Sequence, residues 1–471
     1  MPQDSLQYCS ASDLLAQLRE GSLTAEALME RTLARIAAVN PDLNAIVALR
    51  PAEELMEEAR KADAMRAAHV PLGPLHGLPM AVKDLANVKG IASTQGSPLM
   101  KDFVPTEDEL FVSRLRAAGA ILIGKTNTPE FGLGSHTFNP VYGATRNPFD
   151  GGRTCGGSSG GAAVALAADM VALADGSDMM GSLRNPAGWN NVYGFRPTWG
   201  WVPSDPKGDL FMHPLSTLGP MARSPEDIGL LLDVMAGPDP RQPLASGGTP
   251  VMPLPEPDPM RIGWLGDWGG AFPMEDGILD TCEAALKTFA DLGHSVEAVA
   301  PPFPAEKIWE SWITLRSFAV AAGLRVFEGR KEHLKDTAIW ELERGFAMTA
   351  QQVQEASDLR SDWQRAAVRL FSDYDALILP TAQCWPFPVE IDYPREIAGV
   401  QMDTYHRWMQ VVLPVSLLGL PCLAVPAGFG EAGLPMGLQI FGAQGQDQTL
   451  LALGQQYHGA TQWPQKAPPP G

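Results

Sequence analysis

Two serine-bearing loops carry the residue types best suited to chemistry: Cys155-Gly-Gly-Ser-Ser-Gly-Gly161 and Gly176-Ser-Asp-Met-Met-Gly-Ser-Leu-Arg-Asn-Pro186. A serine hydroxyl attacks a carbonyl only when a neighbour takes its proton, and the oxyanion that forms needs N–H donors aimed at it. Glycine meets the second requirement, because a backbone without Cβ can approach a substrate closely and turn its amides inward. Acyl transfer is therefore one reading of these loops. A flexible turn is another. Phosphate binding is a third, but the Gly-Lys-Ser/Thr ending of a phosphate loop is missing, since Gly160 leads into Gly161 and Ala162. A fourth takes Gly157-Ser158-Ser159-Gly160-Gly161 as G-x-S-x-G, the nucleophile elbow, with Ser159 as nucleophile. That elbow follows a strand, whereas Asn147 to Gly156 has the composition of a loop.

Lys83 is the candidate base. It ends the apolar run Leu78-Pro-Met-Ala-Val82, which as a buried strand carries the amine into the interior, where its neutral form is favoured. The competing reading pairs Lys83 with Asp84 or another carboxylate in an ordinary salt bridge. The histidines offer no metal alternative: His76, His136, His213 and the others lack spacings such as HExxH, so neither metal nor cofactor is expected.

These groups need a scaffold, and the composition can build one. Of 471 residues, 45% are hydrophobic and 19% charged, which supports a large core. Apolar residues at helical spacing predict two helices between Ser10 and Val39, broken at Gly21 with Thr24 as N-cap, and a third from Pro51 to Ala68. From Pro71 to Pro206, short apolar runs such as Leu78–Val82, Ala120–Gly124 and Val171–Ala174 read as buried strands, alternating with helices at Asp108–Ala118 and Gly160–Ala168. A connection at Pro238–Pro259 holds eight prolines in 22 residues. Beyond it the pattern predicts a strand at Arg261–Leu265 and a helix at Asp276–Leu292. A helical insertion within 300–370 follows, and its Trp309, Trp312, Trp340 and Trp363 read as core. Strands at Ala376–Leu379 and Cys422–Pro426 and a helix from Asp447 to His458 complete the pattern. The expected fold class is α/β: a large mixed β-sheet core flanked by helices on both faces. The whole of 1–471 is read as one domain, with a helical lead-in at 1–70 and a catalytic core at 71–206.

Charge and cysteine usage narrow the function classes. Thirty-five Lys and Arg against 54 Asp and Glu give a net charge of −19, which repels nucleic-acid phosphates and anionic lipid. Met1 to Gln17 shows no signal-peptide pattern, and no apolar stretch approaches a membrane span. The five scattered cysteines form no CxxC pair and suit thiols in a reducing cytoplasm. The expectation is a soluble, cytoplasmic protein with a small-molecule substrate and no nucleic-acid or membrane partner; a homodimer is compatible with it.

The sequence resembles the amidase signature family of serine hydrolases. The resemblance rests on Gly73-Pro-Leu-His-Gly-Leu-Pro-Met-Ala-Val-Lys-Asp84, Gly124-Lys-Thr-Asn-Thr-Pro-Glu-Phe131, Asn147-Pro148, Gly156-Gly-Ser-Ser-Gly-Gly161 and Gly194-Phe-Arg-Pro197. Tyr374-Asp-Ala-Leu-Ile-Leu-Pro-Thr381, Gly419-Leu-Pro421 and Leu434-Pro-Met-Gly-Leu-Gln439 extend it towards the end of the chain. It implies a Ser-Ser-Lys triad, with Ser182 as nucleophile, Ser158 as bridging serine after a cis Gly157–Ser158 bond, and Lys83 as base. The family's serine spacing is met, since 182 minus 158 is 24. In the nucleophile loop the family usually pairs two glycines before the serine, and here Met180 stands in place of one. Met179, Met180 and Gly181 are read as the oxyanion and substrate-binding segment, together with Gly132. Asp178 and Arg184 are assigned to holding the loop by ionic hydrogen bonds.

The activity implied is hydrolysis of a linear carboxamide through an acyl-enzyme on Ser182, releasing ammonia or an amine. Two alternatives stand beside it. One is the A-type glutaminase component of a tRNA-dependent amidotransferase, for which a net charge of −19 is poorly suited to tRNA. The other is an inactive family member retained as a binding scaffold.

Overall fold

The computed structural model describes residues 6–212 and 214–470; Met1–Ser5, His213 and Gly471 lie outside the described residues, and with them the first residues of the Met1–Gln17 segment. The opening helices start where hydroxyl side chains can cap them. Ser10 accepts from the Asp13 amide ahead of helix Ala11–Glu20, and Thr24 accepts from Ala27 ahead of helix Ala25–Leu43. Gly21, at φ +83°, ends the first of these in the left-handed conformation a helix terminus favours. A third helix spans Ala52–Ala67.

Among the described residues, eleven strands form one mixed sheet: β1 (Ile46–Val47), β2 (Pro79–Lys83), β3 (Ile121–Thr126), β4 (Leu173–Asp178), β5 (Tyr193–Arg196), β6 (Thr217–Ala222), β7 (Arg261–Trp264), β8 (Ser295–Ala298), β9 (Ala376–Pro380), β10 (Cys422–Phe429) and β11 (Pro435–Phe441). Their order across the sheet is β1-β3-β2-β4-β6-β5-β10-β11-β9-β7-β8. The pairs β2/β3, β2/β4, β7/β9 and β7/β8 are parallel and the others antiparallel. Every residue of β2, β3, β9 and β11 is buried. Successive side chains point to opposite faces, so full burial means that both faces are covered.

The register that matters for function is at β2 and β4, where Ala81 pairs with Ala174 in parallel. Two residues further along both strands, Lys83 arrives beside the Gly176–Ser177 segment. Helix Gly160–Ala167 follows the first serine loop and is buried at every residue. Its small side chains permit that depth: a Cβ on Gly161 would lie 2.3 Å from the Asn127 amide nitrogen just past β3.

The sequence reading places no element between Pro206 and Pro238; β6 lies there, with Gly219 and Pro220 paired in register with β4. The Pro-rich connection contains no helix or strand between Met235 and Arg261, and a buried Val251 anchors it. The 300–370 segment is helical at Ala305–Leu324, Asp336–Phe346 and Ala350–Leu370. Of its four tryptophans, Trp309, Trp312 and Trp363 are buried, whereas Trp340 is 37% exposed and is not core. Among the described residues, no helix is long and apolar enough to cross a membrane.

Candidate active site

β2 delivers Lys83 to the centre of the molecule, 1% exposed. Its Nζ lies 2.8 Å from Ser158 Oγ, 2.8 Å from Ser159 Oγ and 3.1 Å from Ser177 Oγ. An amine with three hydroxyl partners and no carboxylate is not a salt bridge. Asp84, the expected partner in that reading, turns elsewhere: it accepts from the Thr94 amide and hydroxyl at 3.1 and 2.5 Å and faces Lys125 Nζ at 3.7 Å. Burial favours the neutral amine and lowers the Lys83 pKa to about 7, against the opposing pull of Asp175 and Asp178.

The two serine loops meet over this amine. Gly157–Ser158 is cis, and the Ser159 amide donates to the Ser182 carbonyl at 3.2 Å, tying one loop to the other. Ser158, Ser177 and Ser182 face a common cavity of about 660 Å³, whereas Ser159 is fully buried and is not among its lining residues. Residues 151–158 hold isolated bridges at Arg153 and Thr154 but no strand, so the strand that a nucleophile elbow needs is absent ahead of Ser159. Ser182 is 7% exposed and its hydroxyl makes no hydrogen bond among the described residues.

The loop around Ser182 is fixed by buried charge. Arg184 donates to Asp178 through Nε and Nη2, both at 2.9 Å, and Arg196 Nη1 adds a contact at 3.2 Å. Burial alone would raise the Asp178 pKa, but the two guanidiniums hold it well below the usual carboxylate range. The same carboxylate accepts from the amides of Gly181 at 2.8 Å and Leu183 at 3.2 Å. The left-handed φ of the loop falls on Gly181, at +79°, and not on Met180. Met180 therefore occupies its position without the conformation that would demand glycine. It is 3% exposed and lines the cavity beside Met179.

Gly132 forms the facing wall. Its φ is +69°, and a Cβ there would sit 3.5 Å from Ser158 Oγ and 2.7 Å from Leu85 Cδ1. Phe131, Leu133, Val320, Leu324 and Phe327 make the rest of that wall largely apolar.

A family model for amidases matches residues 27–451. The chain belongs to the amidase signature family. This amidase is 33% identical over 475 residues to an acylamidase of Rhodococcus erythropolis, covering 99% of this chain and 98% of that one. It is 34% identical over 483 residues to the A component of the glutamyl-tRNA(Gln) amidotransferase of Thermus thermophilus, covering 96% and 97% of the two chains. Among solved structures, a bacterial aryl acylamidase of the amidase signature enzymes superposes with a TM-score of 0.91 at 28% identity, over 98% of both chains. The peptide amidase of Stenotrophomonas maltophilia superposes with a TM-score of 0.81 at 27% identity, again over 98% of both.

Two residues that line the amidase's cavity escaped the sequence reading. Ser177 is the third hydroxyl on Lys83, and its only signal was its place in the second serine-bearing loop. Arg316 reaches the cavity from helix Ala305–Leu324 and lies within hydrogen-bonding distance of Met179 Sδ, 137 positions away in sequence, with no motif to mark it.

Proposed function

We propose that this amidase hydrolyses a linear carboxamide through an acyl-enzyme on Ser182, giving a carboxylic acid and ammonia or an amine. The observation that carries the reading is a buried lysine whose amine meets hydroxyls only, one of them that of Ser158, which shares a substrate-sized cavity with Ser182. In this reading Lys83, in its neutral form, accepts a proton from Ser158 as Ser158 takes the proton of Ser182. The Ser182–Ser158 hydrogen bond forms when substrate seats, as catalytic contacts often tighten only in the complex. The Gly181 amide is committed to Asp178, so we assign oxyanion stabilisation to the amides of Met179, Met180 and Ser182, with Gly181 supplying the turn. Collapse of the tetrahedral intermediate expels the amine, which takes the proton back from Lys83 through Ser158; water then attacks the acyl group, passing a proton along the same route, and that proton returns to Ser182 Oγ as the acid leaves.

The largely apolar wall favours an aliphatic or aromatic acyl group, in keeping with the acylamidase relatives. The deciding experiment combines ammonia release across alkyl and aryl carboxamides with fluorophosphonate labelling and peptide mapping. Turnover with the label on Ser182 supports the reading; labelling at Ser159 overturns the assignment of the nucleophile. The amidotransferase reading is favoured by the 34% identity to the Thermus thermophilus protein. It requires glutamine to be the preferred amide, and the same panel tests that by including glutamine. The five cysteines are thiols, and we place the enzyme in the cytoplasm.

Two further outcomes are expected. Dialysis against EDTA leaves kcat/KM unchanged, because the proposed steps use only serines, a lysine and water; a loss restored by a divalent ion would count against the triad. Met180→Gly keeps Ser182 reactive towards the fluorophosphonate but reorders kcat/KM across acyl groups, because it removes cavity wall and relieves no backbone strain. A uniform gain with unchanged ranking would instead mark Met180 as an impediment to the oxyanion hole.

A further inference from the structure

Helix Ala305–Leu324 places one charged side chain on the wall of the catalytic cavity. Arg316 is the one charged residue among the described residues that line it, and it is 4% exposed. Its Nε donates to Glu341 Oε1 at 2.5 Å and its Nη2 to Tyr405 Oη at 3.0 Å, while its guanidinium lies 5.2 Å from the Trp312 ring centre. Glu341 is held in turn by Tyr405 Oη and His406 Nε2, both at 2.8 Å, and by Ser317 Oγ at 2.7 Å. An ionised carboxylate has no hydrogen to give, so His406 carries its proton on Nε2. The guanidinium is thus rigidly aimed, and its charge is balanced from behind.

The other terminal nitrogen has no such partner. Nη1 faces Met179 Sδ at 3.4 Å, and a thioether sulfur is a weak acceptor. A fixed, charged donor whose only match among the described residues is sulfur, in the cavity onto which Ser182 opens, is a site for a substrate oxygen. We propose that Arg316 selects amides whose acyl arm carries a neutral oxygen acceptor, a second carbonyl or an ether, which replaces Met179 Sδ on Nη1. A carboxylate fits less well, because Glu341 already balances the guanidinium and the cavity wall offers no second cation. The proposal rests on Ser182 being the nucleophile of this cavity.

The test measures kcat/KM for a series of primary alkyl amides and for isosteric analogues with one methylene, at successive positions along the acyl arm, replaced by ether oxygen or carbonyl. In the wild type the oxygen-to-hydrocarbon ratio should peak at one position, about tenfold above its neighbours, as a charged hydrogen bond predicts. In the double variant Arg316→Met/Glu341→Gln, which removes both charges together, the peak should vanish; the ratio cancels any general loss of rate. Met179→Leu removes the sulfur competitor and should keep or sharpen the peak. A flat wild-type profile, a peak surviving the double variant, a peak lost in Met179→Leu, or a higher peak for a carboxylate analogue would each overturn the proposal. If the double variant does not fold, the wild-type and Met179→Leu profiles decide. Fluorophosphonate labelling of Ser182 and turnover of the hydrocarbon amides report the underlying reading separately: failure of either removes that reading, and turnover with a flat profile removes only the role of Arg316.

Discussion

Ser182→Ala is expected to lower kcat/KM by about 10⁴-fold or more and to abolish fluorophosphonate labelling, because in the proposed mechanism it deletes the oxygen that forms the acyl bond. Ser159→Ala is the informative contrast. Its hydroxyl touches the same Lys83 amine at 2.8 Å but is fully buried and away from the cavity. Losing one such hydrogen bond costs about 1 kcal/mol, so a fall of up to about tenfold is expected, with labelling retained. Each variant is assayed for turnover of one amide and for the mass of the labelled peptide. Covalent labelling that survives in Ser182→Ala and disappears in Ser159→Ala would transfer the nucleophile to Ser159 and overturn the mechanism.

The choice between the adjacent serines Ser158 and Ser159 came from the family resemblance, and the residues alone could not make it. Composition and glycine spacing identify a loop that can approach a substrate, but not which of two neighbouring hydroxyls points outward. In the structure Ser158 faces the cavity, whereas Ser159 stays fully buried, its amide bonded to the Ser182 carbonyl. The depth of Lys83 was more legible, because an uninterrupted apolar run can only be a buried strand or helix core, and its last residue shares that depth. The family resemblance supplied the partner serine 24 residues before Ser182. What stayed hidden came from register and from distant chain. Ser177 meets Lys83 only because β2 and β4 pair in parallel at Ala81 and Ala174. β6 carries Gly219 and Pro220, whose local preferences are overruled by pairing with β4, while Met221 and Ala222 pair with β4 and β5 both. Arg316 and Glu341 lie 25 residues apart on two helices, a contact that no local periodicity encodes.

Lys83→Arg should remove most activity even though it preserves a cation, with a loss of about 10²–10⁴-fold, the range expected for a general base. The reason lies in which protonation state does the work. Burial brings the Lys83 pKa down to about 7, from about 10.4 for an amine in water. Below about pH 7 the amine is protonated and cannot accept the proton that Ser158 relays. Above it the neutral form dominates, so kcat/KM for one amide should rise through about pH 7 and then level off. Arginine stays charged across the accessible range, so Lys83→Arg should lose the rise together with the rate. Lys83→Ala should also lose both, and in addition leaves the Ser158, Ser159 and Ser177 hydroxyls without their shared partner. The measurement is the pH profile of kcat/KM for the wild type and both variants, with the fold of each checked by its unfolding transition. If a folded Lys83→Arg enzyme keeps near wild-type kcat/KM and the same pH profile, Lys83 acts only as a buried cation that organises three serines, and the base must be sought elsewhere.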